Sequence, residues 1–329
     1  MNIVYSSSDA YSLLAGISLT SLLENNKDVD NINIIIIDNE ISEDNKLRLI
    51  KTAEKYNRNL KFVPLGGFLR NTNINLQKWD ISTFGRLFEA SALQEHEKVI
   101  HIDCDTIVNG PLKYLWDIDM GCAVIAGAPD CLSDNYKLNI GLKPADKYFN
   151  AGILVINLVR IRELHLEKVF SNYIEKNSKF LTYVDQEVLN ACIRDEEKIE
   201  LPLIYNSYSI LHYLEYKQLK VLRHVRNMFS EDAYLKARNN PVIVHYTGCF
   251  IEGTRPWIEG DDHPRKYLFD KYKNISEWKD VPKWKDNRTI SSKFICWLIK
   301  SIPKLILAPI VGYIHGVYIP SRNQKRKYV

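Results

Sequence analysis

The stretch Val99–Asp105, VIHIDCD, is a largely apolar run that ends on two acids separated by one residue. Read as a strand, it sends Asp103 and Asp105 to one side and Cys104 to the other. Two carboxylates at a strand end repel each other and raise one pKa unless a cation lies between them. A hard divalent ion removes that penalty and can bridge phosphate oxygens. Taken alone, the pair equally suits two solvated acids opening a turn.

The residues upstream set this strand in a larger pattern. Asn2–Tyr5 (NIVY) reads as a strand, followed by Asp9 as an N-cap and by Leu13, Leu14, Ile17 and Leu22 at helical spacing. Ile32–Asp38 (INIIIID) is a continuous β-branched run, as in a strand covered on both faces. Ser42 then caps a second helix carrying Leu49, Ile50, Ala53 and Tyr56, and Leu60–Leu65 (LKFVPL) is a further strand. Alternation of this kind predicts an α/β fold with a mostly parallel, Rossmann-like sheet flanked by helices. Ligands bind such sheets beyond the carboxyl ends of the strands, where Ser6–Asp9 and Asp103–Asp105 both fall. Downstream, Phe149–Leu158 reads as a strand, Tyr183–Ile193 as a helix, and Asn240–Gly248 as a strand ending in a turn.

His245 ends that last strand and joins the two acids as a third metal ligand. A His–Asp–Asp set with open positions for phosphate oxygens suits Mn²⁺ (or Mg²⁺) better than Zn²⁺. With Thr106, the same acids also fit the DxDxT opening of haloacid-dehalogenase-type phosphohydrolases. That motif belongs near an N-terminus, whereas about a hundred residues precede it here, and Asp261–Asp262 do not follow an apolar strand.

Composition excludes wholesale disorder: 46% of residues are hydrophobic and 26% charged. Ile290–Val329 contain seven Lys/Arg and no acid, so a whole-chain charge of +4 leaves −3 on residues 1–289. The basic character belongs to the tail, and no nucleic-acid partner is expected. The six cysteines form no CxxC pair, which reads as reduced thiols in a cytoplasmic protein. The first residues lack the basic and apolar regions of a secretory signal. Leu305–Ile314, interrupted by Pro309, is too short to span a bilayer and suits an interfacial segment. The expected organisation is a catalytic domain over residues 1–260, a connecting segment over 261–289, and a basic amphipathic helical tail over 290–329. Phe294, Trp297 and the tail lysines would attach the protein peripherally to the anionic inner face of the cell membrane.

Six stretches in order, NIVYSSSDAY, TFGRLFEA, VIHIDCDTIVNGPLKYLWD, YFNAGILVINL, DQEVLN and HYTG…RPW, resemble glycosyltransferase family 8, retaining enzymes of GT-A fold. The likeness is to its bacterial lipopolysaccharide galactosyl- and glucosyltransferases and spans about residues 1–257. It implies a UDP-sugar donor, a saccharide or lipid-linked saccharide acceptor, and Asp103, Asp105 and His245 as metal ligands. It implies that Tyr11 stacks on the uracil while Ser6 and Asp9 border base and ribose. Arg86 would meet the diphosphate or donor sugar, Asp130, Asn150, Asp185 and Gln186 the hexose hydroxyls, and Arg255 the leaving diphosphate. Cys104 and Gly248 complete the implied donor-binding set. A binding-only protein of this fold is the remaining alternative, and loss of a metal ligand would mark it. Two departures stand out. Ser8 takes a position where the family has an acidic group against the base. The HYTGCFIEGTRPW turn is longer than the family's, with Arg255 in place of a Lys.

Overall fold

The computed structural model describes residues 1–65, 81–178, 180–249 and 254–327. The early apolar runs become parallel strands because each offers apolar side chains to both faces. β1 (Asn2–Ser8) pairs with β2 (Asn33–Asn39), and β2 with β3 (Leu60–Pro64). β4 (Lys98–Ile102) lies parallel on the other side of β1. Ile3, Tyr5, Ile34, Ile36 and Ile100 fill one core, and Val4, Ile35, Ile37 and Val99 the other.

β6 (Ile125–Pro129), β7 (Phe149–Asn157) and β8 (Lys198–Glu200) complete a seven-stranded sheet of order β3-β2-β1-β4-β7-β6-β8. β7 runs antiparallel to both neighbours, while the other four pairings are parallel. A smaller sheet of order β5-β10-β9 is built from β5 (Thr106–Val108), β9 (Ser207–Tyr208) and β10 (Ile243–His245). The chain passes from β4 into β5 through Asp103–Asp105, so the acidic pair is the link between the two sheets.

Two local expectations change. Asp9 opens a 3₁₀ turn (Asp9–Tyr11), and the α-helix begins at Ser12. The Asp9 carboxylate accepts from Ser42 N at 2.9 Å and Asn45 Nδ2 at 2.8 Å, clasping the next helix (Glu43–Glu54) in place of capping its own. The Ser12–Glu24 helix is also buried all round from Ser12 to Leu23, not on one face. Its polar side chains are satisfied inside: Ser18 Oγ bonds Tyr5 OH (3.1 Å) and Thr106 Oγ1 (2.8 Å), and Ser21 Oγ accepts from Val108 N (2.9 Å). Trp278 covers the outer side at Gly16, where a Cβ would meet the indole at 1.9 Å. Leu268, Phe269 and Tyr272 join the same core, so residues of the 261–289 segment pack on the sheet domain.

The tail divides in two. The Ile290–Ser301 helix buries no residue. The Lys304–Tyr313 helix and the turn Ile314–Tyr318 lie against the Tyr216–Arg223 helix. A Cβ on Gly312 would stand 2.9 Å from Leu222 O, and one on Gly316 3.0 Å from the His224 ring. The two glycines allow this close approach. No helix among the described residues is long and apolar enough to cross a membrane.

Candidate active site

The small sheet fastens His245 beside the acids. His245 pairs with Thr106 in the β5–β10 ladder, Tyr246 N donates to Asp105 O (2.9 Å), and Asp103 N donates to Gly152 O (2.8 Å). One ligand atom from each of Asp103, Asp105 and His245 lies within 4.8 Å of the others. His245 Nε2 is 3.2 Å from Asp105 Oδ1 and 3.5 Å from Asp103 Oδ2. Thr106 Oγ1 donates to Asp103 O (2.8 Å), so its hydroxyl holds the turn.

A chain of hydrogen bonds sets the imidazole tautomer. Gly152 N–H can only donate, and it donates to Asn150 Oδ1 at 3.0 Å. The same oxygen accepts from Asn206 Nδ2 (2.8 Å), which turns Asn206 Oδ1 toward His245 Nδ1 at 3.0 Å. Nδ1 must therefore carry the proton, leaving the Nε2 lone pair facing the two carboxylates. Two carboxylates and an imidazole nitrogen held from behind fit a divalent cation such as Mn²⁺. Without one, burial would lower the His245 pKa, but Asp105 and Asp103 more than offset this and raise it.

Arg86 ties the acids to the far side of the site. The TFGRLFEA segment approaches β1 closely because Gly85 has no side chain; a Cβ there would meet Ser6 Oγ at 2.6 Å. The buried Arg86 guanidinium bonds Asp103 and Ala151 O, and its Nε is 2.7 Å from Asp185 Oδ2. Burial alone would raise the Asp103 pKa, but Arg86, with His101 and His245, holds it well below the usual carboxylate range. Burial raises Asp185, which Arg86 opposes only in part. His101 bonds the fully buried Glu89 through Nδ1, and its Nε2 is 3.8 Å from Asp103 Oδ1.

Val184 takes a left-handed φ of 47°, a strained conformation for a β-branched residue. Asp185 and Gln186 follow it in the buried first turn of the Val184–Cys192 helix. Gln186 donates to Asp130 Oδ2 (3.1 Å) and Tyr148 OH (3.2 Å) and accepts from Ala151 N (3.1 Å). Asn150 Nδ2 also donates to Asp130 Oδ2, at 3.3 Å. Ser6 Oγ donates to Ser82 O (2.7 Å), and Cys104 Sγ donates to Ser6 O (3.2 Å). Tyr11 is 39% exposed and sits edge-on to Trp284. Arg255 Nη1 is 3.8 Å from Asp105 Oδ2, its guanidinium lies over Trp257, and Gly248 leaves room for it. Ser8 Oγ is buried without a hydrogen-bond partner. The added residues of the turn at 250–253 lie outside the described residues.

Sequence reasoning missed Asn206, Gly152, Tyr148 and the Glu89–His101 pair. Gly152 carried a signal, since a glycine inside a strand often marks a close approach. Asn206, in a short loop, carried none.

Residues 2–260 match the family described as Glycosyl transferase family 8. The chain is 26% identical over 285 residues to general stress protein A of Bacillus subtilis, covering 85% of this chain and 96% of that protein. It is 27% identical to a lipopolysaccharide 1,2-glucosyltransferase of Escherichia coli, over 85% of this chain and 80% of the other. The solved galactosyltransferase LgtC, in complex with donor and acceptor sugar analogues, superposes with a TM-score of 0.71 at 22% identity, over 84% of this chain and 96% of that one. With the family match covering most of its length and the Asp103–Asp105–His245 set in place, the chain belongs to glycosyltransferase family 8.

Proposed function

We propose that the protein transfers a hexose, galactose or glucose, from a UDP-sugar to a glycan or glycolipid acceptor such as lipopolysaccharide, with retention of anomeric configuration. The observation that carries this reading is the convergence of Asp103, Asp105 and His245 Nε2 at the carboxyl end of β4. A divalent cation held by these three would neutralise charge on the departing diphosphate, the largest electrostatic contribution available. Arg255, beside Asp105, adds a second positive group on that side. Asp130, Asn150 and Gln186 present one connected set of donors and acceptors to hexose hydroxyls.

Front-face attack is favoured over a double displacement. The Asp185 carboxylate is paired with Arg86, and Glu187 is buried and accepts from Thr182 N at 3.1 Å. The acceptor proton then passes to a phosphate oxygen of the departing UDP. A covalent sugar trapped on Asp185 or Glu187 would overturn this route. The exposed aromatic and basic residues of the tail support attachment to an anionic membrane surface, next to a lipid-linked acceptor. The deciding assay measures UDP release from a panel of UDP-sugars with Mn²⁺, for the parent and for Asp103→Asn. Metal-dependent turnover lost in Asp103→Asn is expected; no turnover with any donor would sink the enzyme reading.

A further inference from the structure

Beside the transfer site lies a cavity of about 430 Å³ whose lining includes Ser133, Tyr183, Arg223, Thr247 and Gly248. Tyr183 is two residues before Asp185, and Thr247 and Gly248 follow His245 by two and three, so the cavity adjoins the place where the donor sugar would be released. The tail closes another side through His315 and Gly316, and Asn135 Nδ2 fixes that turn by donating to Gly316 O at 2.8 Å.

Two buried polar atoms of this lining, Arg223 Nε and Ser133 Oγ, have no hydrogen-bond partner. The Arg223 guanidinium is hydrogen-bonded to the Tyr183 side chain, but its Nε is left without a partner and it forms no salt bridge among the described residues. Its neighbours are Cys131, Tyr183, Tyr208 and Asp130, and Asp130 already accepts from Asn150 and Gln186. Ser133 is 3% exposed, and its Oγ is also without a partner. Next to it, Asp134 Oδ2 is turned to Arg226 at 3.4 Å. A buried guanidinium Nε and a buried hydroxyl without partners in the wall of one cavity are unfavourable unless a ligand completes them. A guanidinium offers a planar fork that matches a phosphate or carboxylate.

We propose that this cavity is the acceptor's anion subsite, where Arg223 and Ser133 receive a phosphate or carboxylate carried by the acceptor near the accepting hydroxyl. The assignment to an acceptor rests on the glycosyltransferase reading; the binding of an anion does not. The acceptor is accordingly an anionic saccharide, charged on its own sugars or through a lipid phosphate. The tail is part of its binding wall, because Gly312 seats the tail helix on the backbone just before Arg223.

The test is calorimetric binding to the full-length protein, loaded with UDP and Mn²⁺ and, separately, in EDTA. The probes are inorganic phosphate, glucose 6-phosphate, glucuronate, farnesyl phosphate and, as the neutral control, glucose. Charged probes are expected to bind and glucose not. Arg223→Gln is expected to weaken binding about tenfold or more, as loss of a hydrogen bond to a charged group does. Arg223→Lys, which keeps the charge without the fork, and Ser133→Ala should each weaken it less. Tighter binding of farnesyl phosphate than of glucose 6-phosphate would place the charge on a lipid, and the reverse order on a sugar. Binding of no charged probe, or equal binding by parent and the folded Arg223→Lys and Ser133→Ala variants, overturns the subsite. Loss of UDP binding with phosphate binding kept would instead sink the donor reading and leave the subsite standing.

Discussion

A Cβ built on Gly152 would lie 2.1 Å from Cε1 of His245, so the imidazole occupies the space that a side chain in the middle of β7 would fill. Gly152→Ala is therefore expected to push His245 away from Asp103 and Asp105. Mn²⁺ affinity should fall about ten- to hundredfold, the scale seen when a ligand's support is lost. Titration with Mn²⁺, with circular dichroism as a control for folding, measures this. Unchanged affinity in a folded variant would contradict the packing argument.

Asn206 acts on the metal through His245. Asn206→Leu removes the acceptor for Nδ1–H and frees the ring to turn, whereas Asn206→Asp keeps an acceptor there. Mn²⁺ affinity should drop more in the leucine variant, by roughly tenfold or more, and less in the aspartate variant. Equal affinity in the two would show that the tautomer is set elsewhere.

Arg86 compensates two acids at once, Asp103 and Asp185. Arg86→Gln leaves Asp185 buried without its partner, and a loss of about 3–5 kcal/mol is expected from urea unfolding. Adding Asp185→Asn removes the uncompensated charge and should restore part of that stability. If the double variant is no more stable than Arg86→Gln alone, the ion pair is not what Arg86 supplies.

Acid should destabilise the fold through His212 and His263. Burial holds both neutral, each pushed down to about 3, in a pair that fastens Arg265 and Ser209 behind the small sheet. The unfolded chain takes up these protons near pH 6.5, so below that pH it binds more protons than the folded state. Stability is thus fully present above about pH 6.5 and falls with acid by up to ~1.4 kcal/mol per pH unit for each imidazole. In His263→Phe the slope of unfolding free energy between pH 6.5 and 5 should be shallower. An unaltered slope would remove His263 from the account.

The two halves of the tail should separate experimentally. The Phe294 and Trp297 rings lie tilted with centroids 5.7 Å apart on an exposed helix that also carries Lys293 and Lys300. Phe294→Ser with Trp297→Ser should reduce binding to vesicles containing anionic lipid, as should deletion of residues 290–329, which is also expected to shift the protein out of the membrane fraction of cells. Gly312→Leu acts on the docked half and should lower anion affinity at Arg223 while vesicle binding persists. A membrane fraction unchanged by the deletion would count against attachment through the tail.

The parallel half of the main sheet was legible because β1, β2 and β4 carry apolar residues on both faces, and that pattern is local. The acidic pair and His245 were legible as strand ends. The all-round burial of the Ser12–Glu24 helix was not, because its hydroxyls look solvent-facing until Tyr5, Thr106 and Val108 are seen to satisfy them. Asp9 likewise has the local form of an N-cap, and only the neighbouring Ser42–Asn45 turn draws its carboxylate elsewhere.

By itself the amino-acid sequence determined the α/β class, the family and the identity of the three candidate ligands, because strand periodicity and ordered motifs are properties of neighbours along the chain. The tertiary structure alone decided that Asp103–Asp105 joins two sheets, that Asn206 and Gly152 orient His245, and that the tail meets Arg223 at a cavity. These are contacts between residues far apart in the chain, and they exist only once packing has brought both partners into the same small volume.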